Sequence, residues 1–194
     1  MNIFTKIKFF LLKPRIWVIA DTHFFHKNII KYDDLPFNNV EEMNKCIIKK
    51  WNRKIRDNDI VIHLGDFGFG SKEKIKEIVK QLKGKKILIL GNHDKHSKSF
   101  YRSIFDEVYN GYYRLVYNGK VIHFIHNPAD IIKHHLQKEE NYIIYGHIHK
   151  AILYDFPIQN TFCACMVKNN YAPIKLKNII KEWERMQSYD YEYL

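Results

Sequence analysis

The sequence predicts an α/β protein built from two mixed β-sheets, and two patterns carry that prediction. In the first half, short apolar runs of strand length alternate with amphipathic segments of helical spacing. This alternation is typical of β-α-β units around a mostly parallel sheet. In the second half, two strand-like runs flank Asn118-Gly119, a strong signal for a type I′ hairpin and therefore for antiparallel pairing. We expect the two sheets to pack face to face as a sandwich flanked by helices.

The first half contains three predicted strands and two predicted helices, each recognised by the spacing of its apolar residues. Ser71 can cap the second helix, and Gly84 can end it. The predicted strands are residues 15–20, 60–64 and 86–90, and the predicted helices are residues 40–54 and the amphipathic segment that follows Ser71. Because strands and helices alternate, these strands should run parallel.

The second half contains shorter strands and one terminal helix. The hairpin strands are residues 112–117 and 120–125, further short strands are residues 142–145, 151–154 and 161–166, and the helix is residues 176–186. No linker rich in Gly, Pro or Ser and no internal repeat divides the chain. We therefore expect a single domain over residues 1–194.

The composition excludes several classes of protein. Hydrophobic residues at 46% and charged residues at 27% are near globular averages, which argues against a disordered chain, a collagen or a coiled coil. No apolar run reaches the roughly 18 residues of a membrane span, and Lys6 and Lys8 interrupt the apolar residues 3–12. We expect residues 3–12 to be a leader to the fold, no membrane partner, and a cytoplasmic protein.

Cysteine usage and net charge are less informative. The three cysteines include no C-x-x-C pair, so neither a disulfide framework nor a zinc ribbon is predicted. The net charge of +11 is compatible with a nucleic-acid partner, but 26 Lys outnumber 6 Arg and are scattered along the chain. Recognition of bases and bidentate binding of phosphate favour Arg. We take the charge as a weak indication of an anionic substrate.

Polar side chains of the types that commonly bind metals follow five of the predicted strands. Because the functional crevice of an open α/β sheet lies beyond the carboxyl ends of its strands, these side chains should converge. Residues two apart in an extended chain project to the same side, so Asp21 and His23 can grip one ion. Seven candidate ligands suit two ions better than one: Asp21, His23, Asp66, Asn92, His126, His147 and His149. Nitrogen and oxygen donors without sulfur point to Mn, Fe or Zn.

The same residues form five blocks in a fixed order. The blocks are Asp21-Thr22-His23, Gly65-Asp66-Phe67-Gly68, Gly91-Asn92-His93-Asp94, the lone His126, and Gly146-His147-Ile148-His149. In this order they resemble the D-x-H, G-D-x-x, G-N-H-[DE], H and G-H-x-H motifs of the calcineurin-like metallophosphoesterases. The resemblance is to short single-domain bacterial and phage members, and it covers nearly the whole chain after residue 15.

The resemblance implies a hydrolase of phosphomonoesters or phosphodiesters with two divalent cations, manganese in the first place and Fe, Zn or Ni as alternatives. It assigns Asp21, His23 and His149 to one ion, Asn92, His126 and His147 to the other, and Asp66 to a bridging position. A hydroxide shared by the two ions would attack phosphorus in line. His93 would protonate the leaving group, and Asp94 would orient the His93 ring.

Several neighbouring residues allow two interpretations. His26 follows the first ligand pair closely enough to contact a substrate phosphate, as Asn92 also could, and a surface position in the loop is the alternative for His26. Phe25 sits where close relatives often carry Gly, which bears on substrate range. His63 and His123 lie in apolar strand runs at odd spacing from the neighbouring ligands, so we expect them to face the core.

Two other functions stay open. A nuclease would share the chemistry and would need a contiguous stripe of Lys leading to the metal site. A metal-free scaffold of the same fold would serve protein interactions and would have lost ligands. This sequence keeps every ligand type together with His93, which argues against the scaffold.

Overall fold

A computed structural model describes residues 14–138, 140–151 and 160–190, the last three by their backbone alone. Within these residues the strands are β1 (Ile16–Ile19), β2 (Ile60–His63), β3 (Lys85–Ile89), β4 (Glu107–Tyr109), β5 (Tyr112–Tyr117), β6 (Lys120–Ile125), β7 (Tyr142–Tyr145), β8 (Thr161–Cys163) and β9 (Ile174–Lys175). The helices are α1 (Ile29–Tyr32), α2 (Val40–Lys54), α3 (Lys72–Gln81), α4 (Lys98–Arg102), α5 (Asp130–Lys133) and α6 (Leu176–Asp190), and a 3-10 helix covers Met166–Asn169.

The first sheet has five strands in the order β4-β3-β2-β1-β9. Strands β1 to β4 run parallel, and β9 pairs antiparallel with β1. Helix α2 connects β1 to β2 and α3 connects β2 to β3, as β-α-β units require. Both helices begin at a side-chain cap, because Asn39 accepts the backbone N–H of Glu42 and Ser71 accepts that of Lys74.

The second sheet has four strands in the order β5-β6-β7-β8. Strands β5 and β6 form an antiparallel hairpin, whereas β6, β7 and β8 run parallel. At the hairpin turn Asn118 has φ 51° and Gly119 has φ 78°, the two positive values that a type I′ turn requires. Both sheets are therefore mixed, and the predicted fold class is confirmed.

Alternate residues of β1 face two different cores. Val18 packs with Ile62 and Phe124 in the core between the two sheets, to which the buried face of α6 also contributes. Ile19 points to the other side and packs with Trp51 of α2 and with α3. A third, smaller cluster covers the outer face of the second sheet. The layers are thus helices, first sheet, second sheet and a thin outer cover.

Most elements agree with the sequence prediction, and the differences lie in the shorter ones. The bounds of α2, β5, β6 and β7 are the predicted ones. The last predicted strand is shorter than expected, because β8 ends at Cys163 and the 3-10 helix begins at Met166. The predicted strand at residues 151–154 falls, apart from Ala151, outside the described residues, and so do residues 3–12. The short elements α1, α4, β4, α5 and β9 have no counterpart in the prediction.

Two expectations from composition can be examined in the structure. Among the described residues, no helix combines the length and the apolar character that crossing a membrane requires. Cys46, Cys163 and Cys165 are free thiols, as the missing C-x-x-C pair predicts.

Candidate metal centre

The carboxyl ends of five strands meet at one edge of the sandwich. The loop that follows β1 lies along the loop that follows β2, where the backbone N–H of Asp21 donates to the carbonyl oxygen of Gly65 at 3.0 Å. The loops after β6 and β7 are joined in the same way, because Gly146 donates to the carbonyl oxygen of His126 at 2.9 Å. The predicted ligands come together at this edge in two groups.

Asp21, His23 and His149 form the first ligand group, with one ligand atom from each lying within 4.8 Å of the others. The Nε2 atoms of His23 and His149 are 3.0 Å apart. Oδ1 of Asp21 lies 3.6 Å from Nε2 of His149 and 3.9 Å from Nε2 of His23. These are the three residues expected to share one ion.

Asp66, His126 and His147 form the second ligand group, and Asn92 completes it. Three ligand atoms surround Nε2 of His126. Oδ1 of Asn92 lies at 2.8 Å, Nδ1 of His147 at 3.2 Å and Oδ2 of Asp66 at 3.5 Å. All seven predicted ligands are therefore present in the two groups.

Asp66 lies between the groups. Its Oδ2 atom is 4.0 Å from Nε2 of His23 in the first group and 3.5 Å from Nε2 of His126 in the second. Its Oδ1 atom accepts the backbone N–H of His93 at 2.8 Å. Oδ2 of Asp66 therefore faces a histidine of each ligand group.

The donor set fits a pair of cations. Oδ1 of Asp21 is buried and has no hydrogen-bond partner among the described residues, which is costly for a carboxylate unless a cation satisfies it. The Nε2 atoms of His23 and His149 face each other at 3.0 Å, so a cation near both would satisfy all three atoms. Imidazole and carboxylate donors without thiolate are the set that first-row divalent ions accept.

Five of the seven candidate ligands have a left-handed backbone. The φ values are 56° for Asp21, 45° for His23, 53° for Asp66, 71° for His147 and 48° for His149. Non-glycine residues in this region cost about 1–3 kcal/mol each and cluster at functional sites. The extended geometry expected for Asp21 and His23 is thus corrected, because their side chains converge from a tight loop instead of a strand.

Two glycines of the blocks are explained by close packing. A Cβ atom on Gly91 would lie 2.3 Å from Oδ1 of Asp66, and a Cβ atom on Gly146 would lie 2.6 Å from Oδ2 of Asp21. Both distances are shorter than non-bonded contacts allow. The missing side chains therefore let two candidate ligand carboxylates take up their positions.

Contacts behind the ligands select which atom each one offers. Nδ1 of His126 donates to the carbonyl oxygen of Leu64 at 2.7 Å, so Nε2 is the ring nitrogen that faces the ligand group. Oδ2 of Asp21 accepts the backbone N–H of His147 at 2.9 Å and the thiol of Cys165 at 3.1 Å. Only Oδ1 of Asp21 is left for an ion. Leu64 and Cys165 carry no recognisable sequence signal for these roles.

Asp33 was missed by the sequence analysis altogether. Its Oδ2 atom lies 2.7 Å from Nδ1 of His149, across 116 residues of sequence. Asp33 follows α1 in a loop without a motif, so no local pattern could have indicated the contact.

The structure corrects the role expected of Asp94. Oδ2 of Asp94 accepts the backbone N–H groups of Asp66 at 2.9 Å and Gly91 at 2.8 Å, and Oδ1 accepts that of Phe67 at 3.0 Å. Its carboxylate is therefore bonded to the loop backbone, in place of the expected contact with the His93 ring. Three parallel amide donors outcompete one exposed imidazole for a carboxylate.

His93 and His26 lie beside the first ligand group. His93 is exposed, and its ring centroid is 6.1 Å from that of His23 and 5.4 Å from that of Phe69. His26 stacks on Phe69 with centroids 4.1 Å apart, and its ring lies 5.5 Å from the His23 ring. Phe25 has φ 64°, a left-handed conformation that glycine adopts more readily than other residues.

Burial and mutual attraction shift the pKa values of the ligands. Burial raises the pKa of Asp21 to about 6 and lowers the pKa of His23 to about 3. Burial also disfavours the charged forms of Asp66 and His126. The hydrogen bond between them and the attraction of their opposite charges outweigh this effect and stabilise both charged forms. The pKa of Asp66 is held well below its usual range, and the pKa of His126 is raised to about 9. The positive charge of His126 thus stabilises the negative charge of Asp66, as a bound cation could do in the same place.

Two further histidines face the core, as predicted. His63 is buried, lies 2.9 Å from Oγ1 of Thr22 through Nε2, and accepts the backbone N–H of Gly65 at Nδ1. His123 is buried and lies 2.9 Å from the hydroxyl of Tyr112 through Nδ1. Both imidazoles are satisfied away from the ligand groups.

Comparisons with known proteins agree with this geometry. Residues 15–163 match the calcineurin-like phosphoesterase superfamily domain. An uncharacterized protein of Methanocaldococcus jannaschii is 38% identical in an alignment of 178 residues, which covers 88% of this chain and 92% of that protein. The Gene 66 protein of Mycobacterium phage L5 is 36% identical in an alignment of 81 residues, which covers 40% of this chain and 39% of that protein.

One solved structure shares the fold over most of the chain. It is a protein of unknown function from Aquifex aeolicus, 29% identical in sequence, with a TM-score of 0.72. The similarity covers 87% of this chain and 99% of that chain. Neither this structure nor the Methanocaldococcus jannaschii relative has a stated activity, so both inform the fold alone.

Proposed function

The chain belongs to the calcineurin-like phosphoesterase superfamily, and from this premise we propose that it hydrolyses phosphate esters with two divalent metal ions. Membership of the superfamily indicates a hydrolase that acts on a phosphate ester. The two-metal centre is the part that we propose in addition. The observation that carries the proposal is the pair of ligand groups on either side of Asp66. Two such groups around one shared carboxylate suit two ions.

Each ion has its own ligands. The first ion would be held by Asp21, His23 and His149, the second would be held by Asn92, His126 and His147, and Asp66 would serve both. Mn²⁺ is our first choice, and Fe, Zn or Ni fit the same donors. When bound, such a pair of ions lowers the pKa of a water molecule to supply the nucleophile for in-line attack, and offsets charge on the phosphoryl oxygens.

We assign the proton donor to His93. Its backbone N–H is bonded to Oδ1 of Asp66 at 2.8 Å, so its position is tied to the shared ligand. Its imidazole is exposed and can reach a substrate, where it protonates the leaving oxygen. Asp94 acts on His93 indirectly, because it holds the loop that carries both His93 and Gly91.

Asn92 and His26 are the proposed contacts to the substrate phosphate. Asn92 is exposed and its Oδ1 atom lies 2.8 Å from Nε2 of His126, at the solvent side of the second group. His26 lies beside the first group on the face of Phe69. The two side chains thus approach the centre from different strand ends, one near each ion.

The test is a substrate panel with chelated protein to which Mn²⁺ is added back. The panel contains a bis-aryl phosphate, an aryl phosphate, cyclic nucleotides and a single-stranded oligonucleotide. We expect Mn-dependent hydrolysis of at least one ester, and its loss in Asp66→Asn, which keeps the size of the side chain and removes its charge. Failure of every ester with Mn, Fe(II), Zn and Ni would contradict the proposal.

The same panel separates the alternatives. Cleavage of the oligonucleotide far above the small esters would identify a nuclease. A metal-free scaffold predicts neither metal binding nor hydrolysis. Diester cleavage above monoester cleavage would narrow the class to a phosphodiesterase.

We also propose a cytoplasmic location. It is supported by the three free thiols, because exported proteins usually pair their cysteines and reducing compartments keep them free. Cell fractionation checks this, and recovery of the protein from an exported or membrane fraction would contradict it.

A further inference from the structure

The carboxylate of Asp33 lies directly behind a candidate metal ligand. Its Oδ2 atom is 2.7 Å from Nδ1 of His149, and its side chain is 13% exposed. The other ring nitrogen of His149, Nε2, faces the first ligand group and lies 3.0 Å from Nε2 of His23. The imidazole of His149 therefore extends from the Asp33 carboxylate to the centre of that group.

The segment that carries Asp33 is held in place by its backbone. The N–H of Asp33 donates to the carbonyl oxygen of Ile29 at 2.9 Å, which closes α1. Leu35, two residues further on, is buried. A second contact joins this segment to the His149 loop, because Nζ of Lys150 donates to the carbonyl oxygen of Asp34 at 3.2 Å. Asp33 thus presents its carboxylate to His149 from a fixed position.

The two ligand groups differ in what lies behind their histidines. In the second group, Nδ1 of His126 donates to the neutral carbonyl of Leu64. In the first group, Nδ1 of His149 faces the charged carboxylate of Asp33. A carboxylate behind the ring orients it, selects its tautomer and makes the opposite nitrogen a stronger donor to a metal.

We propose that Asp33 is a positioning residue for the ion held by Asp21, His23 and His149. The carboxylate of Asp33 accepts a hydrogen bond from the Nδ1–H group of His149. The lone pair of Nε2 is thereby directed at that ion. The inference rests on the proposed dinuclear centre. Outer carboxylates of this kind typically contribute roughly ten- to a hundredfold in metal affinity. Asp33 contacts a histidine of the first ligand group, so the affinity of the second ligand group should be unaffected.

The experiment is a calorimetric titration of the chelated full-length protein with Mn²⁺. We expect two binding events in the wild type, and in Asp33→Ala a loss of roughly tenfold or more in the affinity of one event. Asp33→Asn keeps an acceptor oxygen and loses the charge, so its affinity for Mn²⁺ at that event should lie between the affinities of the wild type and Asp33→Ala. Asp34→Asn is the matched control, because Asp34 is exposed and has φ 44°, which Asn tolerates.

Thermal unfolding of the metal-free variants separates positioning from support of the fold. Equal loss at both binding events, or a loss explained by a lower unfolding temperature without metal, identifies a structural contact and overturns the inference. Unchanged affinity in Asp33→Ala also overturns it and leaves the dinuclear centre standing. A wild-type protein that binds none of Mn²⁺, Fe²⁺, Zn²⁺ and Ni²⁺ overturns the proposed function as well.

Discussion

The carboxylate of Asp94 accepts the backbone N–H of Asp66 at 2.9 Å. This bond joins the loop after β3 to the loop after β2, and the bond from the N–H of Phe67 strengthens the junction. The bond from the N–H of Gly91 lies within the loop after β3 itself. Asp66 offers its Oδ2 atom to both ligand groups, so the position of a shared ligand depends on a neighbouring carboxylate.

Asp94→Ala should destabilise the protein and weaken its metal binding. Three backbone N–H groups lose a charged acceptor, and we expect the free energy of unfolding to fall by about 3 kcal/mol. Urea denaturation of the metal-free protein measures this change. Asp106→Ala is the control, because Asp106 accepts a single exposed amide, that of Lys86, and should cost about 1 kcal/mol. A loss for Asp94→Ala no larger than the control would contradict the bridging of the two loops.

His93→Ala should bind both metal ions and lose most of its turnover. The residue lies outside the two ligand groups, whereas removal of a general acid typically costs about 10²- to 10⁴-fold in rate. Metal content and kcat are measured on the same preparation. His135→Asn is an exposed control at a left-handed position and should retain full activity. Undiminished turnover in His93→Ala would remove the proposed proton donor.

Gly146→Ala should weaken metal binding at the first ligand group. The new Cβ would lie 2.6 Å from Oδ2 of Asp21 and 2.8 Å from Cβ of Ala20, so the carboxylate has to move. Mn²⁺ titration should show a weakened event, with the second group less affected. Gly111→Ala serves for comparison: nothing lies within 4 Å of its Cβ, but its φ of +67° strains the backbone, which costs stability and leaves metal affinity unchanged. Wild-type affinity in Gly146→Ala would contradict the packing argument.

Asp59 should contribute stability that disappears in acid. Burial alone raises the pKa of its carboxyl, but hydrogen bonds from Arg15 and from the backbone of Arg56 prevail and lower it to about 2 from an ordinary value of 3.8. Because the folded-state pKa lies below the unfolded one, the contribution is complete above about pH 4 and is lost as the pH falls through 2.

Asp59→Asn should therefore be less stable than the wild type by about 3 kcal/mol at pH 7, the usual cost of breaking a buried ion pair. We call the difference in the free energy of unfolding between the wild type and the variant the gap. Urea denaturation at pH 7, 5, 4 and 3 should show this gap unchanged from pH 7 to 5 and shrinking below pH 4. Asp57→Asn, two residues earlier and exposed, should show no gap. A gap for Asp59→Asn that persists undiminished in acid would contradict the assigned pKa.

Local signals predicted the elements that depend on local physics. Helix α2 has its predicted bounds because the period of its apolar residues and the Asn39 cap both lie within the segment. The β5–β6 hairpin has its predicted turn because Asn118 and Gly119 tolerate positive φ. Strand β9 pairs two residues with β1 across the fold, and no local pattern reports such a contact.

The candidate site divides along the same line. The convergence of the candidate ligands was predictable because each follows a strand, and strand ends of one sheet converge. Asp33 was not, since it reaches His149 from a loop 116 residues away. The role of Asp94 required knowledge of which backbone amides surround it. The left-handed backbone of residues such as Asp21 follows from the packing of loops and is invisible in residue type.

Anomalous X-ray diffraction from Mn²⁺-soaked crystals would show whether the seven candidate ligands, with Asp66 between the two groups, bind two cations. We predict two peaks about 3.5–4 Å apart. One should lie among Asp21, His23 and His149, and the other should lie among Asn92, His126 and His147. An absence of peaks at this edge of the sandwich, or peaks bound by other residues, would rule out the dinuclear centre.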